Sequence, residues 1–188
     1  MKCGKPVQEH EEYCKECRET PRMFTQGKGI FLYDEQWKLS LEKYKYYGCR
    51  EYGDFFAQAM YLFSKKELSM WKPDLIVPVP LHRKKQRIRG FNQSLYLAER
   101  LGEKTGIPVD GDLVYKKRET KSQKKLNASE RRKNLKGAFD MKKRADGKRI
   151  LVIDDVYTTG STMEEMAFCL RQNGAEKVYF LTVCIGFR

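Results

Sequence analysis

The sequence predicts an α/β protein in which an open, mainly parallel sheet carries helices on its faces and follows a small cysteine-bearing segment. Three observations predict it. LIVPV at residues 75–79, ILVI at 150–153 and VYFLTVCI at 178–185 are short apolar runs of the kind buried on both sides of a parallel sheet. The first two run into polar loops and then into amphipathic helices, the βα unit whose carboxyl end binds ligands in open sheets. Cys3, Cys14 and Cys17 crowd the first seventeen residues, while Cys49, Cys169 and Cys184 are scattered.

The 188 residues suit one medium domain with a small appendage, divided here at residues 1–25 and 26–188. A content of 40% hydrophobic and 12% aromatic residues excludes global disorder. The apolar runs fall far short of the roughly 18 residues that cross a bilayer, and no signal peptide is visible, so the expectation is a cytoplasmic protein without membrane insertion.

In MKCGKPVQEHEEYCKEC the two-residue spacing of Cys14 and Cys17 lets both thiolates face one ion, and the glycine after Cys3 permits the turn of a zinc knuckle. A metal also explains how so polar a segment folds. A structural zinc site takes four ligands; His10, Cys49 or a cysteine upstream of Met1 are the alternatives for the fourth. The alternatives to structural zinc are an incomplete, frayed segment and a redox role for CKEC, the latter disfavoured because no strand leads straight into it.

IFLY at 30–33 reads as a strand, and the helix after it carries Trp37, Leu41 and Tyr44 on one face. A second helix over 54–66 has a broad apolar stripe of Phe55, Phe56, Ala59, Met60, Leu62 and Phe63, expected to be core. Pro78 and Pro80 end the LIVPV strand, and the residues after Pro80 read as its exit loop. QSLYLAERLGEKTG then forms a helix with Leu95, Ala98 and Leu101 inward and Gly106 as its stop. DLVYKK reads as another strand, and IPVDGDLVYKK and KGAF are expected to return to the sheet. Between them RETKSQKKLNASERRKNLKGAF has little to bury and reads as a long basic excursion with a short helix started near Asn127 or Ser129.

The net charge of +13 is uneven: residues 115–149 hold 15 Lys or Arg against four Asp or Glu, and HRKKQRIR at 82–89 is a second basic cluster. Such clusters attract polyanions, whether nucleic acid or phosphorylated small molecules.

ILVIDDVYTTGST, at 150–162, places Asp154 and Asp155 at the end of a buried strand and a hydroxyl-rich turn before a helix over 161–172. Ser161 and Glu164 are spaced as a capping box, with Met163, Met166, Ala167 and Leu170 toward the sheet and Gly174 as the stop. A hydroxyl and glycine cluster alone is what any helix start prefers. Two adjacent carboxylates at a strand end, however, repel each other unless hydroxyl groups or a cation use them. The loop supplies phosphate donors at a helix amino terminus. A Walker A loop is excluded because no lysine follows Gly160, and GxGxxG is absent. A ligand with a diol at one end and a phosphate at the other, such as ribose 5-phosphate, satisfies both halves.

VIDDVYTTGST resembles the phosphoribosyl pyrophosphate signature of type I phosphoribosyltransferases. With CGKP, YCKEC, PVPLHRKKQRIRGFNQS and RETKSQKKLNASERRKNLKGAF it resembles the ComF family of competence-associated proteins over nearly the whole chain. The resemblance implies a type I phosphoribosyltransferase-like domain over 26–188. It implies phosphoribosyl pyrophosphate with Mg, Asp154 and Asp155 on the ribose hydroxyls, and Thr158, Thr159, Gly160, Ser161 and Thr162 around the 5-phosphate. Pro80, Leu81, His82, Arg83 and Lys84 would approach pyrophosphate, with Arg118 and Lys121 on a flap. It further implies a role in uptake or processing of transforming DNA, beside a DNA-translocating helicase that could recruit the chain to the inner face of the membrane. Cys3 departs from the family pattern in lacking a partner three residues earlier. A non-catalytic reading stays open, in which Arg83, Lys84, Lys85, Arg87 and Arg89 with the basic flap form a path for single-stranded DNA and Tyr115 or Phe91 stacks on a base. No nucleobase pocket is legible, so turnover is open.

Overall fold

The computed structural model describes residues 2–120 and 127–186. Its order is α1 (Lys15–Glu19), β1 (Gln26–Leu32), α2 (Glu35–Tyr46), α3 (Arg50–Trp71), β2 (Leu75–Pro78), α4 (Arg83–Arg89), α5 (Gln93–Thr105), β3 (Val114–Lys116), α6 (Ala128–Leu135), β4 (Phe139–Met141), β5 (Arg149–Tyr157), α7 (Ser161–Gln172) and β6 (Lys177–Ile185). Four strands form the expected parallel sheet in the order β1-β6-β5-β2. Helices α2, α3 and α5 close a core of Leu41, Phe56, Met60, Leu97, Leu101, Leu151 and Leu181. Helix α7 and the amino-terminal segment close the other core, with Phe24, Val152, Met166 and Phe180. Among the described residues no helix is long and apolar enough to cross a membrane.

Several expectations needed correction. Strand β1 begins four residues before IFLY, through Gln-Gly-Lys-Gly. A Cβ at Gly27 would lie 2.1 Å from the Phe180 ring, and one at Gly29 would lie 2.3 Å from Ile185, so only glycine lets this strand lie against β6. Helix α3 spans 22 residues, and it buries Phe56, Ala57, Ala59, Met60, Ser64 and Trp71. Phe55, Leu62 and Phe63 are exposed, because a stripe that broad exceeds the face that one sheet can cover. The loop after Pro80 contains α4, capped by Gly90 in the left-handed conformation. The segments around 112–117 and 136–139 do not join the parallel sheet. They pair with each other as the antiparallel ribbon β3-β4, while Val109 makes a single bridge to Ile76. The short helix α6 starts at Asn127, in a capping box with Glu130.

Candidate functional site

Strand β5 continues through both carboxylates to Tyr157, and residues 156–163 line a shallow cup at its end. The turn is made by Gly160, whose φ of 75° few side chains adopt. It is the N-cap of α7, so the expected capping box does not form. Glu164 instead accepts from the Met23 amide at 2.9 Å, and Ser161 shares a 2.9 Å hydrogen bond with the Thr159 hydroxyl. Ser161 is buried, and Thr158, Thr159 and Thr162 are half-buried around the cup.

Asp154 and Asp155 are both buried, and each has its own neighbour. Ser94, in the first turn of α5, donates to Asp154 at 2.8 Å. Lys45, at the end of α2, pairs with Asp155. Burial, reinforced by Asp155, pushes the Asp154 carboxyl up to about 7. Burial also opposes charge on Asp155, but the Lys45 ammonium outweighs it and holds that carboxyl below the ordinary range. The site thus holds one fixed anion and one carboxyl that titrates near neutrality.

Pro80 is buried two residues beyond β2, Leu81 and His82 are half-buried, and Arg83 and Lys84 are exposed on α4. His82 caps α4, its Nδ1 accepting from the Lys84 amide at 3.4 Å, and the Lys84 ammonium pairs with Glu119 at 2.8 Å. Arg118 donates to the carbonyls of Asn134 and Lys136, where it fastens the end of α6. Lys121 lies outside the described residues. The flap meets the cup through another side chain, Arg131 of α6, which donates to the Thr158 hydroxyl at 2.8 Å.

Sequence reasoning missed Lys45, Ser94, Arg131 and Lys116. Burial and the neighbouring Lys85 lower Lys116 to about 8, and its ammonium sits 5.5 Å from the Phe139 ring. Ser94 carried a signal, a hydroxyl in the first turn of the helix after a candidate binding loop. Lys45 sits in KYKYYG, where nothing distinguishes it from its neighbours.

The thiols of Cys3, Cys14 and Cys17 converge, with ligand atoms all within 4.8 Å of one another and Cys3 to Cys14 at 3.4 Å. That donor set fits zinc. Neither His10 nor Cys49 belongs to the group. Burial pushes the Cys3 thiol up to about 12, so a bound cation would have to drive its deprotonation. Lys5 and Arg22, both buried, surround the cluster; Lys5 pairs with Glu16 at 2.8 Å.

Residues 91–186 match the model of the phosphoribosyl transferase domain. The chain is 30% identical to competence protein F of Haemophilus influenzae over 94% of its own length and 80% of the relative's. It is 31% identical to the DNA utilization protein YhgH of Salmonella typhimurium, covering 97% and 82% of the two chains. Against competence protein ComFC of Bacillus subtilis the identity is 30%, over 92% and 71%. A phosphoribosyl transferase domain with a three-cysteine cluster before it, matched along almost its whole length by these relatives, places this chain in the ComF family.

Proposed function

We propose that the chain binds phosphoribosyl pyrophosphate with Mg and serves in the handling of incoming DNA. The carrying observation is the pair of buried carboxylates, Asp154 and Asp155, running directly into the turn of residues 158–162 at the start of α7. Burying two adjacent carboxyls is costly for a fold, and a diol supplies the donors they lack. In this reading Asp154 and Asp155 accept from the ribose hydroxyls. Thr158, Thr159, Gly160, Ser161 and Thr162 surround the 5-phosphate, with backbone N–H groups at the start of α7 as donors. Pro80, Leu81, His82, Arg83 and Lys84 flank the pyrophosphate, with Arg118 beside them and Lys121, outside the described residues, assigned to the same ligand by the family resemblance. The relatives' names, competence protein and DNA utilization protein, support the biological role. A helicase partner and zinc at Cys3, Cys14 and Cys17 belong to the same proposal.

The arrangement suits displacement at ribose C1 with pyrophosphate leaving. The carboxylates and the cup hold the ribosyl unit still while positive charge develops at C1, and the cations of α4 face the departing charge. Mg, when bound, neutralises pyrophosphate. Isothermal titration with phosphoribosyl pyrophosphate and Mg tests the reading, with Asp154→Ala/Asp155→Ala as the control. Heat from the unmodified chain and none from the variant is expected; silence from both refutes it.

A second reading rests on α4, which buries none of its residues and exposes Ile88 by 86%, and on Arg89, whose guanidinium lies 4.9 Å from the half-exposed Tyr46 ring. This basic, aromatic surface suits single-stranded DNA. Of the two stacking candidates Tyr115 is exposed, whereas Phe91 packs on Tyr44 at 5.6 Å. An affinity for single strands that hardly changes with salt would contradict it.

A further inference from the structure

The cysteine cluster and the phosphate cup share a wall. Cys3 is 2% exposed and lies in the same core cluster as Tyr157 and Met163, which flank the cup. Tyr157 stacks on Phe180 at 4.8 Å and meets the edge of Phe24 at 6.3 Å, and the Lys5 ammonium stands 6.0 Å from its ring. Its hydroxyl is buried, has no hydrogen-bond partner among the described residues, and lies under Gly160: a Cβ there would come within 2.5 Å of it. Two further contacts join the same parts. The Met23 amide is held by Glu164 in the first turn of α7, and Arg22 is buried between α1 and this helix, 3.8 Å from Glu16.

A buried hydroxyl without a partner is unusual enough to need a reason. Packing against a backbone that must hold one conformation supplies it. We propose that Tyr157 is a positioning residue, which transmits the state of the cluster at Cys3, Cys14 and Cys17 to Gly160 and so sets the shape of the phosphate cup. Metal at the cysteines draws residues 3–17 together and fixes Cys3 and Lys5 against the Tyr157 ring. That ring props the Gly160 turn from which α7 starts. Loss of metal lets the wall relax, and the turn relaxes with it. The coupling is reciprocal, so a ligand that orders the cup also tightens the metal site. Sugar-phosphate affinity as its readout rests on the function proposed above, whereas the link from metal to turn does not.

Hydrogen exchange of the full chain, loaded with zinc and then stripped by chelator, tests the link directly. Stripping should speed exchange at residues 157–164 and leave α5 and β2 unchanged. Tyr157→Phe keeps the ring stack and removes only the atom under Gly160. It should fold and hold zinc like the unmodified chain, while its turn follows the metal less than half as strongly. Titration with phosphoribosyl pyrophosphate and Mg should show affinity about tenfold weaker without zinc, within the usual range of coupling between sites. An unchanged turn on stripping overturns the proposal, as does a rise that includes α5, since the metal would then sustain the whole fold. Tyr157→Phe behaving like the unmodified chain also overturns it. If the turn follows the metal but neither form binds the sugar phosphate, the proposed ligand is wrong and the link stands.

Discussion

Replacing Lys45 by Met tests whether the buried carboxylates Asp154 and Asp155 are tolerated because a helix supplies their counter-charge. The Lys45 side chain is 19% exposed and that of Asp155 is 9% exposed, so the pair lies in the buried regime. Removing one partner of such a pair costs about 3–5 kcal/mol, because the charge left behind stays buried. The partial exposure of Lys45 argues for the lower end, about 3 kcal/mol. With a urea dependence of roughly 2–3 kcal/mol per M, the unfolding midpoint should fall by about 1–1.5 M at pH 8. Asp155→Asn alone should cost less, since it also relieves the repulsion on Asp154. The double variant, which has neither charge, should unfold within about 1 kcal/mol of the unmodified chain, giving a coupling of about 2 kcal/mol or more. Without Lys45, burial is opposed only by the hydrogen bond from Asp154 and by the smaller effect of Arg89, so the Asp155 carboxyl in the folded state moves upward. The deficit of Lys45→Met should therefore shrink as the pH is lowered and that carboxyl takes up a proton. Single-variant losses that add in the double variant, or a Lys45→Met midpoint equal to that of the unmodified chain, would refute the reasoning.

Asp154, raised to about 7 from an ordinary value of 3.8, binds a proton in the folded state that the unfolded chain lacks. Its contribution to stability is complete below the unfolded value and is lost as the pH rises through about 7. Stability measured in urea should thus fall between pH 5.5 and 7.5, while affinity for phosphoribosyl pyrophosphate with Mg, which uses the ionised form, should rise; Asp154→Asn should flatten both trends. Ser94→Ala removes a hydrogen bond to that buried carboxyl, with an expected loss of about 1–3 kcal/mol and a binding midpoint shifted to higher pH; an unmoved midpoint in titration calorimetry would show the bond to be idle. Gly160→Ala forces a side chain into the left-handed region and against the Tyr157 hydroxyl. It should cost about 2 kcal/mol or more by urea unfolding and abolish heat with the sugar phosphate.

The parallel sheet was legible because a strand buried on both faces is almost wholly apolar: ILVI has no polar residue and VYFLTVCI only Thr182. The ribbon β3-β4 was not, since Val114 and Phe139 are as apolar as sheet residues and only the register shows that they pair with each other. Glu164 illustrates a different failure. The S-x-x-E spacing is a sound local signal, but the Met23 amide competes for the same carboxylate, and it lies 141 residues away in sequence. In the site, Asp154, Asp155 and the turn were readable because they are contiguous. Lys45 and Ser94 were not, because their role consists only of where α2 and α5 end up against β5.

Those two unread residues decide how the readable ones behave. Identical neighbouring carboxyls would titrate in two steps that belong to the pair and to neither residue. Here a lysine from α2 fixes Asp155 as an anion, and burial with a single hydroxyl from α5 leaves Asp154 near neutrality. Binding a diol that donates to two ionised carboxylates would therefore release protons from Asp154 to solvent near neutral pH and none from Asp155. The asymmetry lies in the helices that carry Lys45 and Ser94, on the side of the sheet away from the cysteine cluster. The turn at Gly160 packs on the opposite side, over the Tyr157 hydroxyl. The two ends of one short segment, residues 154–162, thus answer to different halves of the molecule. A ligand that spans both ends would be held only when the two halves are set correctly at once.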